Sequence, residues 1–456
     1  MKLWSYIREK MLETPEQTLC EGDAVITYEE LCVFAEHYAK NLNASYYAIL
    51  CHSELAAAMA LIACIAAGKP AVPFPMRYGK EYYQKIWDKA HAPYVITDVY
   101  GKLSCHAVYP EDTAVQLPQS SAVILFTSGS TGVPKGVVLN ESNLLSNIQG
   151  ISSYFPINKA DTILISRPLY HSSVLTGEFL VALCNNAKIV FSSEPFQPLN
   201  ILSLIKKHGI TVLGSTPTLL SVLSRFIRKE TEHNVRLLSI SGECITEGMA
   251  RTIRNAFPHT DIYCGYGLSE ASPRVAYLPP LYFDSCPTSA GFTLPNVHVC
   301  IKGKDGLIWD TYRSGELLVK GPNVMQGYFG DAERTSAVIE NGWLHTGDIA
   351  CWDDAGMFHI QGRKDDMIIR AGMNIYPAEV ENAVSTDPRV KDVLVYGYPK
   401  DGRQEVGMKI CGEFSDIKEV MQLCREQLPV FQIPSKIELV DETEVFSGGK
   451  KRRKNF

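Results

Sequence analysis

The sequence predicts an α/β protein in two parts. Residues 1–363 form a large N-terminal domain of two α/β subdomains plus a small β-barrel-like subdomain, and residues 364–456 form a small α+β domain. Three observations predict this. Apolar strand-like runs alternate with helical patterns along the first two-thirds of the chain, the arrangement that gives largely parallel sheets. From about Thr288 to Gly362 the pattern changes to short strands broken by glycine turns. A charged junction, GRKDD at Gly362–Asp366, then separates off a last stretch of roughly ninety residues with its own strands and helices.

The elements follow in order. YYAIL, AVPF and YVIT read as strands, with the Ala-rich LAAAMALIACIAAG and the amphipathic KEYYQKIWDKA as helices between them. TILIS, KIVFSS and TVLGS are further strands, with helix LNILSLIKKHG before the last of them. VHVCIKG, GELLVKG, GWLHTGD and MFHIQG form the short-stranded region. Beyond the junction come helix PAEVENAVST, strand VKDVLVYGY, helix IKEVMQLCREQL and strand SKIELV. LLSISGECITEGM reads as helix-like.

Composition narrows the function classes. A formal net charge of −6 gives no overall electrostatic footprint for nucleic acid. The most membrane-like run, Leu55–Gly68, has 14 residues, too short to span a bilayer. The N-terminus lacks the apolar core of a secretory leader, and the 13 cysteines show no CxxC pair. Both fit a cytoplasmic protein with reduced thiols.

One stretch carries chemistry openly: FTSGSTGVPKGVVL, Phe126–Leu139. Glycines, Gly129 among them, let backbone N–H groups approach a ligand. Thr127, Ser128, Ser130 and Thr131 add hydroxyl donors, and Lys135 adds a positive charge. Together they suit phosphate oxygens. The Walker A pattern is absent, because Lys135 is followed by Gly136. GVVL reads as a strand, so the loop lies between two strands. The bland alternative is a flexible surface turn.

LFTSGSTGVPKGVV resembles the phosphate-binding signature of the AMP-forming adenylating enzymes: acyl- and aryl-CoA synthetases, peptide-synthetase adenylation domains and luciferases. ITYEEL, GYGLSEASP, GELLVKGPNVMQGYFGD, GWLHTGDIA, GRKDDMIIRAGMNIYPAEVE and SGGKKRRKNF follow in the family's order, and the resemblance covers essentially the whole chain. It implies ATP-dependent activation of a carboxylate as acyl-AMP, then transfer to the thiol of CoA or of a carrier protein's phosphopantetheine. Mg²⁺ is the implied metal. A non-catalytic nucleotide-binding relative, and a nucleic-acid contact at the tail, are the alternatives from other classes.

The resemblance also assigns residues. Tyr266 offers a face for adenine, Ser269 replaces the family's usual Thr at the α-phosphate, and Glu270 is the implied Mg²⁺ ligand. Asp348 and Arg363 are implied at the ribose, with Gly242 and Glu243 beside adenine and acid. His171, in PLYHSSVL, is implied near the substrate carboxylate. No Asp stands in that segment to pair an α-ammonium, which disfavours amino acids, although Glu178 could rescue one. Asp365 falls at the family's hinge, and Gly372 leaves room for a pantetheine arm. Lys450 matches the essential terminal lysine, with Lys451 competing; Lys450 is favoured because Arg453 and Lys454 then fall on the family's Arg-Lys pair. The bland alternatives are a solvated or helix-capping Glu270, a surface ion pair at Asp348, a core histidine at His171 and a solvated basic tail.

Overall fold

Helix starts in this chain are written by short polar side chains. Thr27 accepts from the Glu30 backbone N–H at 3.1 Å, and the Glu30 carboxylate accepts from the Thr27 N–H at 2.8 Å. This reciprocal cap launches helix Tyr28–Ala39. Asn140 and Asn143 cap helix Glu141–Ser152 in the same way, and Ser53 caps helix Glu54–Ala67. The last of these is apolar on every side, and a helix of that kind is stable only with protein all round it.

That surrounding is supplied by two sheets. The computed structural model describes residues 2–76, 80–127, 134–227, 233–370, 373–400 and 403–441. Ser128, Gly129, Ser130, Thr131, Gly372, Lys450 and Lys451 lie outside the described residues. The larger sheet has 15 strands and the second has seven. One apolar cluster holds Leu61 and Ile62 of the buried helix, Ile148 of Glu141–Ser152, Val123 and Leu125 of the second sheet, and Ile163 and Val212 of the larger. These helices therefore lie between the sheets. The far face of the larger sheet packs Leu213, Leu238 and Ile262 on helices Pro198–His208, Pro217–Ser224 and Glu247–Ala256. The far face of the second sheet covers Ile86 of helix Lys80–Ala90. The layers run helix, sheet, helix, sheet, helix, which is the expected α/β architecture.

In the larger sheet, Thr18–Glu21, Lys188–Phe191, Thr162–Ile165, Val212–Ser215, Leu237–Ser241 and Asp261–Gly267 are neighbours in that order, all parallel. LLSIS is thus a strand, correcting the helix-like reading. Leu237 faces one core and Leu238 the other, the two-residue period of a strand buried on both sides. At this end of the larger sheet the parallel run gives way to antiparallel pairing at Arg274–Leu278, earlier than the glycine-rich turns indicated. The short-stranded region does not close into a barrel among the described residues. Ser289–Thr293 pairs with Arg274–Leu278 on one side and Phe358–Arg363 on the other, so the region continues the larger sheet as an antiparallel wing.

Residues 368–437 contain a separate apolar core. It includes a strand the sequence reading passed over, Arg403–Gly412, antiparallel to Val390–Lys400 and carrying buried Val406, Met408 and Ile410. No described helix is long and apolar enough to cross a membrane.

Replacing buried Ile62 by Ala is expected to cost about 2–5 kcal/mol in denaturant unfolding. Thr27→Ala, which removes only a cap, is expected to cost about 1 kcal/mol.

Candidate active site

Parallel strands bind ligands beyond their carboxyl ends, where the backbone turns away and leaves a crevice. The end of strand Asp261–Gly267 is such a place, and three side chains just there reach three different parts of the chain. The Tyr266 hydroxyl donates to Asp348 Oδ2 at 2.6 Å. The Ser269 and Ser172 hydroxyls meet at 2.9 Å. Glu270 Oε1 accepts from the Tyr328 hydroxyl at 2.9 Å and lies 3.9 Å from Lys135 Nζ.

Two buried asparagines hold the turn that does this. Asn147 Nδ2 donates to Arg274 O at 2.8 Å, and its Oδ1 accepts from the Arg274 N–H at 3.1 Å. Asn323 Nδ2 donates to Ala271 O and Arg274 O, each at 3.2 Å. The Met325 N–H donates to Glu270 O at 2.9 Å. The carbonyls of Glu270, Ala271 and Arg274 are thus bonded within the protein, which fixes the turn that carries Ser269 and Glu270.

Asp348 is buried on strand Trp343–Trp352. Its second oxygen accepts from half-exposed Arg363 at 2.8 Å, and Arg363 also donates to Thr346 O at 3.0 Å. Burial pushes the Asp348 carboxyl above the usual carboxylate range, against the pull of the Arg363 guanidinium and the Tyr266 hydroxyl. Burial and the Asp348 carboxylate together keep the Tyr266 phenol protonated, hence a donor. The Tyr266 ring meets Phe358 edge-on at 5.7 Å.

Lys135 opens strand Lys135–Asn140 and pairs in register with Thr127 at the end of Ser121–Thr127. The hydroxyl-rich loop is thus the connection of an antiparallel hairpin, as its sequence predicts. Lys135 Nζ lies over the Tyr328 ring at 5.2 Å from its centre. Burial, then the Glu270 carboxylate, push the Tyr328 phenol up, so it donates to Glu270.

The segment with His171 turns into a short helix, Ser172–Val174, and widens into a π-helical stretch, Leu175–Leu180, a geometry frequent at functional sites. The His171 ring stands 4.3 Å from that of Tyr170. Glu178 forms a buried ion pair with Arg167. A β-carbon at Gly214 would fall 2.4 Å from the Glu178 carboxyl carbon. Gly242 has φ +104°, which only glycine adopts without strain, and a side chain there would approach Thr216 and Arg167. Glu243 accepts from the Thr218 N–H at 2.8 Å, in the first turn of helix Pro217–Ser224. One of its oxygens is therefore engaged in capping. Asp365 lies in the turn Lys364–Asp366, exposed and apart from these contacts.

The AMP-binding enzyme family matches residues 7–329, and the AMP-binding enzyme C-terminal domain matches residues 379–450. The chain belongs to the AMP-binding enzyme family. Among AMP-binding enzymes, the feruloyl-CoA synthase of an Amycolatopsis species is 29% identical over 479 residues, covering 98% of this chain and 96% of its own. The indoleacetate–CoA ligase of Aromatoleum aromaticum is 31% identical over 351 residues, 75% of this chain and 68% of its own. The o-succinylbenzoate CoA synthetase of Bacillus subtilis, solved with ATP and magnesium ion, superposes with a TM-score of 0.80 at 25% identity over 98% of each chain. ATP-bound MatB of Rhodopseudomonas palustris shares the fold, with a TM-score of 0.84, 23% identity, and 98% of this chain and 96% of its own covered.

Sequence reasoning thus named Tyr266, Ser269, Glu270, Asp348, Arg363 and Lys135 for this AMP-binding enzyme, and the structure brings them together. It missed Tyr328, which links Glu270 to Lys135, although GYFGD was in view. It also missed Arg167, immediately before PLYH, and Arg274, immediately after GYGLSEASP. Glu178 is bound to Arg167, so it has no spare charge with which to rescue an ammonium.

Arg363→Met removes the stronger of the two groups holding Asp348 down, and Tyr266→Phe the weaker. Both are expected to move the Asp348 titration upward, Arg363→Met further, as followed by carboxyl-carbon NMR. Gly265→Ala would place a methyl 0.8 Å from Arg274 Nη1 and is expected to cost about 1–3 kcal/mol in thermal unfolding.

Proposed function

We propose that the protein is an ATP-dependent carboxylic acid–CoA ligase. An aryl or acyl carboxylate attacks the α-phosphorus of ATP, giving acyl-AMP and pyrophosphate. The CoA thiol then attacks the mixed anhydride and AMP leaves. The observation that carries this reading is the end of strand Asp261–Gly267, where Tyr266, Ser269 and Glu270 reach Asp348, Ser172 and the Tyr328–Lys135 pair within a few residues. The names of the relatives, which are CoA synthases and ligases matched over most of this chain, favour CoA over a carrier protein as acceptor.

Adenylate formation needs negative charge quenched more than it needs acid–base chemistry. In this reading Asp348 accepts from the ribose hydroxyls, Arg363 orients it, and Tyr266 borders the adenine. Thr127 and Lys135, with Ser128, Gly129, Ser130 and Thr131 of the connecting loop, hold the phosphates. Gly242 and Glu243 border adenine and acid. Ser269 donates to the α-phosphate, and His171 stands by the reacting carboxylate.

Among the described residues no group of three or more His, Cys, Asp or Glu could hold a metal ion. Glu270 is therefore a lone carboxylate, which suits a Mg²⁺ ion that takes most of its ligands from phosphate and water. Such an ion, when bound, neutralises phosphate charge. The Tyr328 hydroxyl and Lys135 hold Glu270 in place for it.

Lys450 supplies the closing ammonium between carboxylate and α-phosphate. The chain divides into domains 1–363 and 364–456, with Asp365 as the hinge and Gly372 beside the entering thiol. All thirteen cysteines are free, which suits a cytoplasmic setting.

Acid-dependent ATP–pyrophosphate exchange tests the first half-reaction, and thioester formation with CoA against a holo carrier protein tests the second. Exchange with no acid at all would overturn the reading. Lys450→Ala is expected to lower exchange by about 10²–10³-fold with ATP binding kept, and Lys451→Ala much less. Because only the ionised Asp348 accepts from two hydroxyls, AMP affinity is expected to fall as pH drops through its raised pKa. Calorimetric titration across pH reads this, and Asp348→Asn is expected to remove the acid limb.

A further inference from the structure

The ligase reading leaves one buried cation without a task. Arg274 is 3% exposed. Its backbone N–H and C=O are taken by Asn147 and Asn323. Its guanidinium has no hydrogen-bond or ion-pair partner among the described residues, and its buried Nε is unsatisfied. Arginine does not escape such a position by losing its proton, and a charge held there uncompensated is strongly unfavourable.

Register and strand alternation say where the guanidinium points. Arg274 pairs with Gly267, and its side chain runs back over Gly265, where a β-carbon would fall 0.8 Å from Nη1. A β-carbon at Gly177 would lie 3.5 Å from Nη2. Successive strand residues face opposite sides, and Tyr266 reaches Asp348. The guanidinium is therefore turned away from the Tyr266–Asp348 group and toward the Leu175–Leu180 stretch, the acid side.

The neighbours there are polar and incomplete. Arg167 and Glu178 cancel each other's charge, yet Arg167 Nε and Glu178 Oε2 are buried without partners. Thr176 Oγ1 is in the same condition. Arg274 leaves one positive charge in excess. The reacting carboxylate belongs at the other end, by Ser269, and gives up its charge on becoming a mixed anhydride, so it does not serve as the counterion through the reaction.

We infer that the acid activated here carries a second carboxylate, and that Arg274 is the specificity-determining residue that binds it. This rests on the ligase reading. A neutral hydroxyl or amide in that place would satisfy donors but leave the charge.

The test is ATP–pyrophosphate exchange with matched acids, short aliphatic and aryl-spaced, whose far end is carboxylate, carboxamide or methyl. The wild-type protein is expected to favour the diacid over its methyl partner by about 10²-fold or more in kcat/KM, with the amide between them. Arg274→Leu is expected to bring that ratio to about one, chiefly by raising KM for the diacid, whereas Arg274→Lys keeps part of it. Equal or better use of the methyl or amide acids by wild-type protein overturns the inference, whether or not the variants fold. So does an unchanged ratio in a folded Arg274→Leu protein. Exchange with none of the acids would sink the ligase reading itself. Calorimetric titration of the same acids then decides the inference alone: saturable binding of a diacid and not its methyl partner supports it, and no diacid binding overturns it.

Discussion

Asp348 is a carboxylate that the fold has buried, and burial of a charge is tolerated only with partners at hand. Those partners come from separate places. Tyr266 stands at the end of the last parallel strand, and Arg363 closes the last strand of the antiparallel wing. The pairing of Asp348 with Arg363 in strand register puts the guanidinium where the chain leaves the larger sheet for the C-terminal segment. The hydrogen bonds that make the carboxylate affordable thus also fix the wing against the parallel core. The arrangement leaves Asp348 an acceptor for whatever approaches the strand end.

Beside it, the parallel strands end in small residues on one face: Gly214, Ser241 and Gly265. Farther down the same face stand Val212 and Leu237, ordinary core residues. The missing side chains are replaced by charged ones arriving from elsewhere, Glu178 over Gly214 and Arg274 over Gly265. A charged group brought this deep needs compensation. Arg167 compensates Glu178, whereas Arg274 has no ion-pair partner among the described residues. Two kinds of buried polar residue stand here. Asn147 and Asn323 are buried and engaged with backbone, holding the turn rigid. Arg274 is buried with its Nε unsatisfied, a condition that calls for a physical explanation.

Much of the fold was legible because its signals are local. Caps at Thr27, Ser53 and Asn140 are set by residues three apart. The alternation of strands and helices fixed the α/β class, and the glycine turns located the short strands. Two readings went astray, each for its own reason. LLSIS is buried on both faces, so it lacks the apolar–polar alternation that identifies a half-exposed strand. The short strands resembled a barrel because their lengths and turns are the same in an open wing; only the pairing of Ser289–Thr293 with two partners distinguishes them.

The chain's own order of residues determined the elements, the hairpin under the phosphate-type loop, and which side chains carry hydroxyl, carboxylate or ammonium. Those follow from interactions among neighbours in sequence. The tertiary structure alone decided that Glu270 meets Tyr328 and Lys135, that Glu178 is matched by Arg167, and that Arg274 is not matched by any described carboxylate. Each joins segments whose approach depends on how strands are ordered in a sheet, and that order is set by packing across the whole core rather than by any local pattern.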